Sequence, residues 1–100
     1  MPEYTISTQS GADWPVIPVG KLSSYLAPKS FQYEVVDDSS VLVLRVGGAT
    51  VSVSWELLGA WYVAIEGSDS LERADSVASE IARQLEDATG EQAIWYRVTD

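Results

Sequence analysis

The sequence predicts an α+β domain: a two-layer sandwich in which a mainly antiparallel sheet of about five strands carries one long amphipathic helix on one face. Apolar and polar residues alternate with a period of two through residues 30–66 and again at 94–99, which is typical of half-buried strands. Between these regions, residues 69–90 repeat apolar side chains at helical spacing. The expected order is α-β-β-β-β-α-β, and 100 residues suffice for one such domain, residues 1–100.

The first part of the chain is predicted to be the least regular. Tyr4 and Ile6 alternate with polar neighbours, so residues 1–18 are either irregular or contain a short edge strand. The later part of this region contains two prolines and is expected to lie extended over the core. Apolar residues then recur at helical spacing in residues 19–27, which predicts a short helix that ends before Pro28.

Four strands in a meander are predicted after the short helix. The run Asp37-Asp38-Ser39-Ser40 indicates a turn between the first two strands, because aspartate and serine side chains bond to their own backbone. Gly47-Gly48 predicts a tight hairpin between the second and third, since glycine readily adopts positive φ angles. The predicted strands cover residues 31–35, 41–46, 50–55 and 60–66.

The long helix has predicted boundaries at both ends. Asp69, with Glu72 three residues later, resembles a capping box, and Gly90 has the position of a terminating glycine. Eight residues form the apolar stripe that is expected to face the sheet. They are Leu71, Ala74, Val77, Ala78, Ile81, Ala82, Leu85 and Ala88.

A final strand is predicted after the helix. Ile94, Tyr96 and Val98 alternate with residues of the opposite face and are expected to point into the core. We expect this strand to lie antiparallel beside the first strand of the meander. The alternative is a parallel position beside a neighbour of the last meander strand, reached by a right-handed crossover.

The charge of the chain narrows the class of partner. Fifteen acidic residues face six basic ones, which gives a net charge of −9, and thirteen of the acids fall in residues 34–100. A field of this sign repels phosphate, so we expect no binding to nucleic acid or to an anionic membrane. It favours a protein partner with a basic surface, and the alternative is that the charge serves only solubility.

Catalytic, cofactor-binding and metal-binding residues are not predicted. The chain has no histidine and no cysteine, and no serine has a general base at a matching spacing. Residues 69–80 have the length of an EF-hand loop but place apolar and basic side chains at ligand positions. We therefore expect no cofactor and no enzyme activity. A small enzyme that uses carboxylates such as Glu34, Glu56 and Glu66 is the remaining catalytic alternative.

A binding surface is the expected functional feature. Trp55 and Trp61 are predicted to pack against the long helix, whereas Tyr62 and Trp95 fall on the opposite strand faces and form an aromatic patch with Arg97. The alternative is that the N-terminal segment or the short helix covers this face. The predicted partner-binding residues are Asp37, Asp38, Glu56, Tyr62, Glu66, Asp69, Trp95 and Arg97.

The size, the acidity and the pattern of a helix on a sheet are similar to those of small immunity proteins that bacteria make against secreted toxins, a likeness that no motif carries. The functional hypothesis is thus a non-enzymatic cytoplasmic protein that occludes a basic partner such as a toxin. The alternative is a homodimeric chaperone or assembly subunit that binds through its sheet face or an edge strand.

Overall fold

The computed structural model describes residues 2–11, 13–15, 17–18, 20–55 and 59–99. Six strands form one antiparallel sheet and one long helix lies on one of its faces, which confirms the predicted α+β class with one strand more than expected. The elements in chain order are β1 (Glu3–Thr8), α1 (Leu22–Leu26), β2 (Tyr33–Asp38), β3 (Val41–Val46), β4 (Ala49–Trp55), β5 (Trp61–Glu66), α2 (Leu71–Thr89) and β6 (Ala93–Thr99).

The strand order in the sheet is β2-β3-β4-β5-β1-β6, and every neighbouring pair is antiparallel. The prediction of an edge strand within residues 1–18 was therefore wrong, because β1 lies between β5 and β6. Its side chains Tyr4 and Ile6 are fully buried in the core. The expected placement of the last strand beside the first meander strand was wrong as well, since β6 pairs with β1. The alternative was right in part: β1 is a neighbour of β5, the last meander strand, but β6 lies antiparallel to β1 and not parallel.

The core lies between the helices and one face of the sheet. Alternation along each central strand turns every second side chain toward α2, and each fully buried aliphatic side chain stabilises the fold by about 1.5–3 kcal/mol. The buried residues on the sheet side include Leu42, Leu44, Val46, Val51, Val53, Val63 and Ile65. On α2, the buried residues are Ala74, Val77, Ala78, Ile81, Ala82 and Leu85.

The N-terminal segment and α1 lie on the same side of the sheet as α2. Trp14 and Ile17 belong to the buried core, and the indole nitrogen of Trp14 donates to the carbonyl oxygen of Ile6 at 3.3 Å. The helix α1 is shorter than the predicted 19–27, and its buried residues Leu22 and Leu26 join the same core. The face of the sheet opposite the helices is therefore not covered by this segment.

The ends of α2 differ in one respect from the prediction. Ser70 is the N-cap, because its hydroxyl accepts from the backbone N–H of Arg73 at 3.0 Å, and Asp69 precedes the cap. Gly90 ends the helix as predicted, with a φ of 79° in the left-handed region that favours glycine. In the part of the chain that the structure describes, neither helix has the length and apolar character needed to cross a membrane.

Candidate functional site

The sheet face opposite the helices is the largest surface that neither helix covers, and we call it the open face. Residues paired across antiparallel strands share a face, so the register defines its members. The open face carries polar and small side chains in the centre of the sheet, in contrast to the buried helix side. Its side chains from β1 to β6 include Glu3, Thr5, Ser7, Glu34, Asp37, Val41, Val43, Arg45, Thr50, Ser52, Ser54, Tyr62, Ala64, Glu66 and Tyr96.

Carboxylates dominate the charge of the open face. One row of paired residues crosses four strands through Glu34, Arg45, Thr50 and Glu66. The next row begins at Asp37 and ends at Glu3. Arg45 is the only basic side chain that the described strands place on this face. Because Glu34, Asp37 and Glu66 are all exposed, the face presents a negative field to solvent.

A neighbouring row of the open face is aromatic and hydroxylic. It runs from Tyr96 on the edge strand β6 through Thr5 and Tyr62 to Ser54. The hydroxyl of Tyr62 donates a hydrogen bond to the Glu3 carboxylate, which fixes the ring across β1 and β5. Tyr96 is 54% exposed, so an aromatic ring is available for contact beside the acidic rows.

Trp95 and Arg97 are not on the open face, and their predicted placement there was wrong. The register pairs Trp95 with Ile6 and Arg97 with Tyr4, both of which point toward the helix. Trp95 packs edge-on against Tyr4 at 5.8 Å between ring centres. The guanidinium of Arg97 binds the Asp75 carboxylate on α2 at 2.9 and 3.1 Å. Tyr96 takes the exposed position that the sequence analysis gave to Trp95.

Asp37 and Asp38 are adjacent in the sequence, and their side chains point to opposite faces of the sheet. A register shift between Val35 and Asp37 turns Asp38 toward the helix side, where its carboxylate accepts from the N–H of Leu22 at 2.9 Å. It also accepts from the N–H and hydroxyl of Ser23, at 3.1 and 2.6 Å. The hydrogen bond from the Ser23 hydroxyl is the main reason why the pKa of Asp38 is lowered. Asp38 therefore holds the start of α1.

The structure brings together three of the predicted partner-binding residues, Asp37, Tyr62 and Glu66, on the open face. Asp69 lies before α2, exposed, with its carboxylate 3.9 Å from the Arg73 guanidinium. Glu56 lies outside the described residues. The predicted set thus divides between the open face, the helix side and the start of α2.

Several other acids have roles inside the fold. Asp75 accepts from the Tyr4 hydroxyl at 2.7 Å, in addition to its pair with Arg97. Glu80 accepts from the hydroxyl of Ser30 at 2.7 Å, which is the main cause of its lowered pKa. Glu86 accepts from the backbone N–H of Ala93 at 2.9 Å and so ties α2 to β6. These carboxylates join α2 to other parts of the fold. Among the described residues, Glu34, Asp37 and Glu66 make no hydrogen bond or ion pair of this kind.

A second feature, which the sequence analysis missed, is a pocket of about 270 Å³ on the helix side, where β4 ends and β5 begins. We call it the tryptophan pocket. Trp55 and Trp61 meet there edge-to-face at 5.1 Å between ring centres. The signal in the sequence was the high number of tryptophans, four in 100 residues, but nothing local placed three of them together. The pocket is lined by Trp14, Pro15, Ile17, Leu22, Ser40, Trp55 and Trp61.

Neither the arrangement of possible metal ligands nor a comparison with known proteins gives a further indication of function. Within the described ranges, no three acidic side chains are grouped closely enough to hold a metal ion. The functional interpretation of the open face and of the tryptophan pocket therefore depends on their geometry. No family model, curated protein or solved structure matches the chain significantly.

Proposed function

We propose that this chain is a non-enzymatic binding protein of the cytoplasm that uses the open face to occlude a basic protein partner, in the manner of an inhibitor or a toxin-immunity protein. The observation that carries the proposal is the concentration of Glu34, Asp37 and Glu66 on one uncovered sheet face with a single arginine among them. The cysteine-free composition fits a reducing compartment.

The carboxylates fall into two groups, those bonded within the fold and those exposed on the open face, and this difference supports the proposal. Acids such as Asp38, Asp75 and Glu80 bind groups of the chain itself, so their charge serves folding. Those on the open face cost the isolated protein some self-repulsion. Such charges become favourable when a positive surface approaches, because complementary potentials accelerate encounter and fix orientation.

The aromatic row adds a source of affinity beside the charge. Tyr96 is exposed at the edge and Tyr62 is half-buried and held by Glu3. Tyrosine contributes a large contact area at low conformational entropy cost, and it is enriched at interface hot spots. A partner that covers both rows would place its basic residues over the acids and an apolar patch over the tyrosines.

The test compares two variants that remove equal charge from different faces. In the open-face variant, Glu34→Gln and Glu66→Gln are combined; in the control variant, Glu72→Gln and Asp87→Asn change exposed residues of α2. Each protein is immobilised and used to capture proteins from cells that make the chain, with quantification by mass spectrometry. We expect the wild type and the control variant to capture the same basic protein and the open-face variant to lose it.

The captured partner then allows the association rate to be measured directly. At low salt we expect the open-face variant to associate on the order of ten-fold more slowly than the control variant, and the difference to shrink as salt rises. Equal capture by the two variants, or an association rate that does not depend on ionic strength, contradicts the proposed use of this face.

The edges of the sheet favour one second candidate, a homodimeric chaperone or assembly subunit. The edge strand β2 exposes Val35 and Val36, and the opposite edge β6 exposes Tyr96 and Val98. Unpaired edges with apolar side chains are templates for strand addition. Light scattering over a wide concentration range decides between the candidates: a stable dimer supports the second one, and a monomer at high concentration eliminates it.

A further inference from the structure

We infer that the tryptophan pocket is a binding site for a small uncharged ring compound that carries one hydrogen-bond acceptor, such as an aryl ketone. The pocket lies on the helix side of the sheet, so this site is separate from the open face and does not depend on the function proposed for it. Two observations support it: the lining of the pocket, and an unsatisfied buried donor on Trp61, one of the lining residues.

The lining of the tryptophan pocket selects an apolar ring. Trp14 and Trp61 are almost fully buried beneath it, Ile17 and Leu22 supply aliphatic surface, and Ser40 contributes a hydroxyl at the rim. Aromatic side chains prefer edge-to-face or offset contacts with another ring, as Trp55 and Trp61 already make with each other. Its volume of about 270 Å³ is near the lower end for ligand pockets, which suits a single ring system.

The unsatisfied donor selects an acceptor. The indole nitrogen of Trp61 is buried and has no hydrogen-bond partner among the described residues. A buried donor without an acceptor costs about 1–3 kcal/mol, so such groups are rare in folded proteins. The second buried indole, that of Trp14, has its acceptor in the Ile6 carbonyl. Because Trp61 lines the pocket, its N–H group is the donor that a ligand oxygen would satisfy once it is uncovered.

The charge of the molecule selects a neutral ligand. A carboxylate would satisfy the Trp61 donor, but a chain with a net charge of −9 repels anions. A cation gains nothing from an N–H donor, because both carry positive charge at the point of contact. A carbonyl oxygen attached to a ring meets both requirements.

Trp55 provides the route of entry. The Trp61 nitrogen is shielded from solvent, so an acceptor reaches it only when a neighbouring side chain moves. Trp55 packs on Trp61 and is 47% exposed, which leaves it free to change rotamer, whereas Trp14 is held in the core. Exposed side chains change rotamer within nanoseconds, so this movement does not limit binding.

The test uses two ligands of nearly the same shape, 1-indanone and indane, of which only the ketone has an acceptor. We expect the four indole N–H groups of the ¹⁵N-labelled protein to give separate nuclear magnetic resonance signals, assigned with Trp14→Phe, Trp55→Phe and Trp95→Phe variants and, for Trp61, by elimination. With 1-indanone we expect the Trp61 indole proton to move downfield and the Trp55 signal to shift. The Trp95 signal serves as the internal control and stays in place.

The two ligands also differ in expected affinity. One additional hydrogen bond should make 1-indanone bind about three- to ten-fold more tightly than indane. The variant Ser40→Phe changes an exposed rim residue and fills the pocket, so it should abolish binding while the Trp95 signal reports an intact fold. If neither ligand moves the Trp55 and Trp61 signals, or if indane binds as tightly as 1-indanone with an unmoved Trp61 proton, the inference is wrong.

Discussion

Replacing Asp38 with alanine should destabilise the protein far more than replacing its neighbour Asp37, although both changes remove one carboxylate. Asp38 accepts three hydrogen bonds at the start of α1, from the N–H groups of Leu22 and Ser23 and from the Ser23 hydroxyl. Loss of a helix-capping side chain costs about 0.5–2 kcal/mol, and bonds to a charged acceptor lie at the upper end. Asp37 is exposed on the open face, where substitutions usually stay within about 0.5 kcal/mol.

The assay is urea and thermal unfolding followed by tryptophan fluorescence. For a domain of this size, 1 kcal/mol corresponds to about 4–8 °C in Tm, so the Asp38→Ala variant should unfold visibly earlier than the Asp37→Ala variant. Combining Asp38→Ala with Ser23→Ala should give less than the sum of the two single effects, because both remove the hydrogen bond from the Ser23 hydroxyl to Asp38. Equal effects of Asp37→Ala and Asp38→Ala refute the assigned role.

The same contact has a pH signature. The Ser23 hydroxyl lowers the pKa of Asp38 in the folded protein, so its stabilisation is fully present above the pKa of the unfolded chain, about 3.9. It disappears as the pH falls through the lower folded pKa. The difference in unfolding free energy between wild type and Asp38→Ala should therefore be constant from about pH 7 to 5 and shrink below about pH 4. A difference that does not shrink as the pH falls below about 4 contradicts this account.

The helix α2 provides two further predictions. Ser70→Ala removes the N-cap hydrogen bond and should lower the free energy of unfolding by about 1 kcal/mol, measured by chemical unfolding. Asp69→Ala disrupts only an exposed ion pair and should lower it by no more than about 0.5 kcal/mol. A larger effect of Asp69→Ala than of Ser70→Ala would mean that Asp69 is the N-cap. Gly90→Ala should lower the free energy of unfolding by about 1–2 kcal/mol, because position 90 has a left-handed backbone; an added Cβ meets no other atom there. Gly48 has no positive φ, so Gly48→Ala should leave the stability unchanged or raise it slightly.

The elements with a strong local period were predictable from the sequence. The strand Val41–Val46 was found at the expected position, and six of the eight residues predicted for the stripe of α2 are buried, because the alternation and the 3-4 spacing each identify one buried face. Leu71 and Ala88, at the two ends of the stripe, are exposed. The hairpin at Gly47-Gly48 followed from turn chemistry, although only Gly47 adopts a positive φ. The acidic nature of the open face was expected from the composition.

The meander β2-β3-β4-β5 was predicted, but the neighbours of β1 and β6 were not predictable, because pairing between distant strands leaves no local signature. In β6 the alternation favoured Ile94, Tyr96 and Val98 as the buried set, and this prediction was wrong, because Tyr96 and Val98 are exposed. The pairing of β6 with β1 determines which face is buried and turns Trp95 toward the helices. Likewise, the bulge before Asp37 decides which of the two adjacent acids faces the helices, and no pattern in the sequence marks it.

The position of β1 has a consequence for how the molecule acquires its shape during synthesis. This strand leaves the ribosome before its two partners, β5 and β6, which follow it by more than fifty residues. Until they emerge, Tyr4 and Ile6 have no partner strand and stay exposed to other nascent chains and to chaperones. Insertion of β1 between β5 and β6 therefore waits for both of them, and the long loop closure it requires makes that event slow.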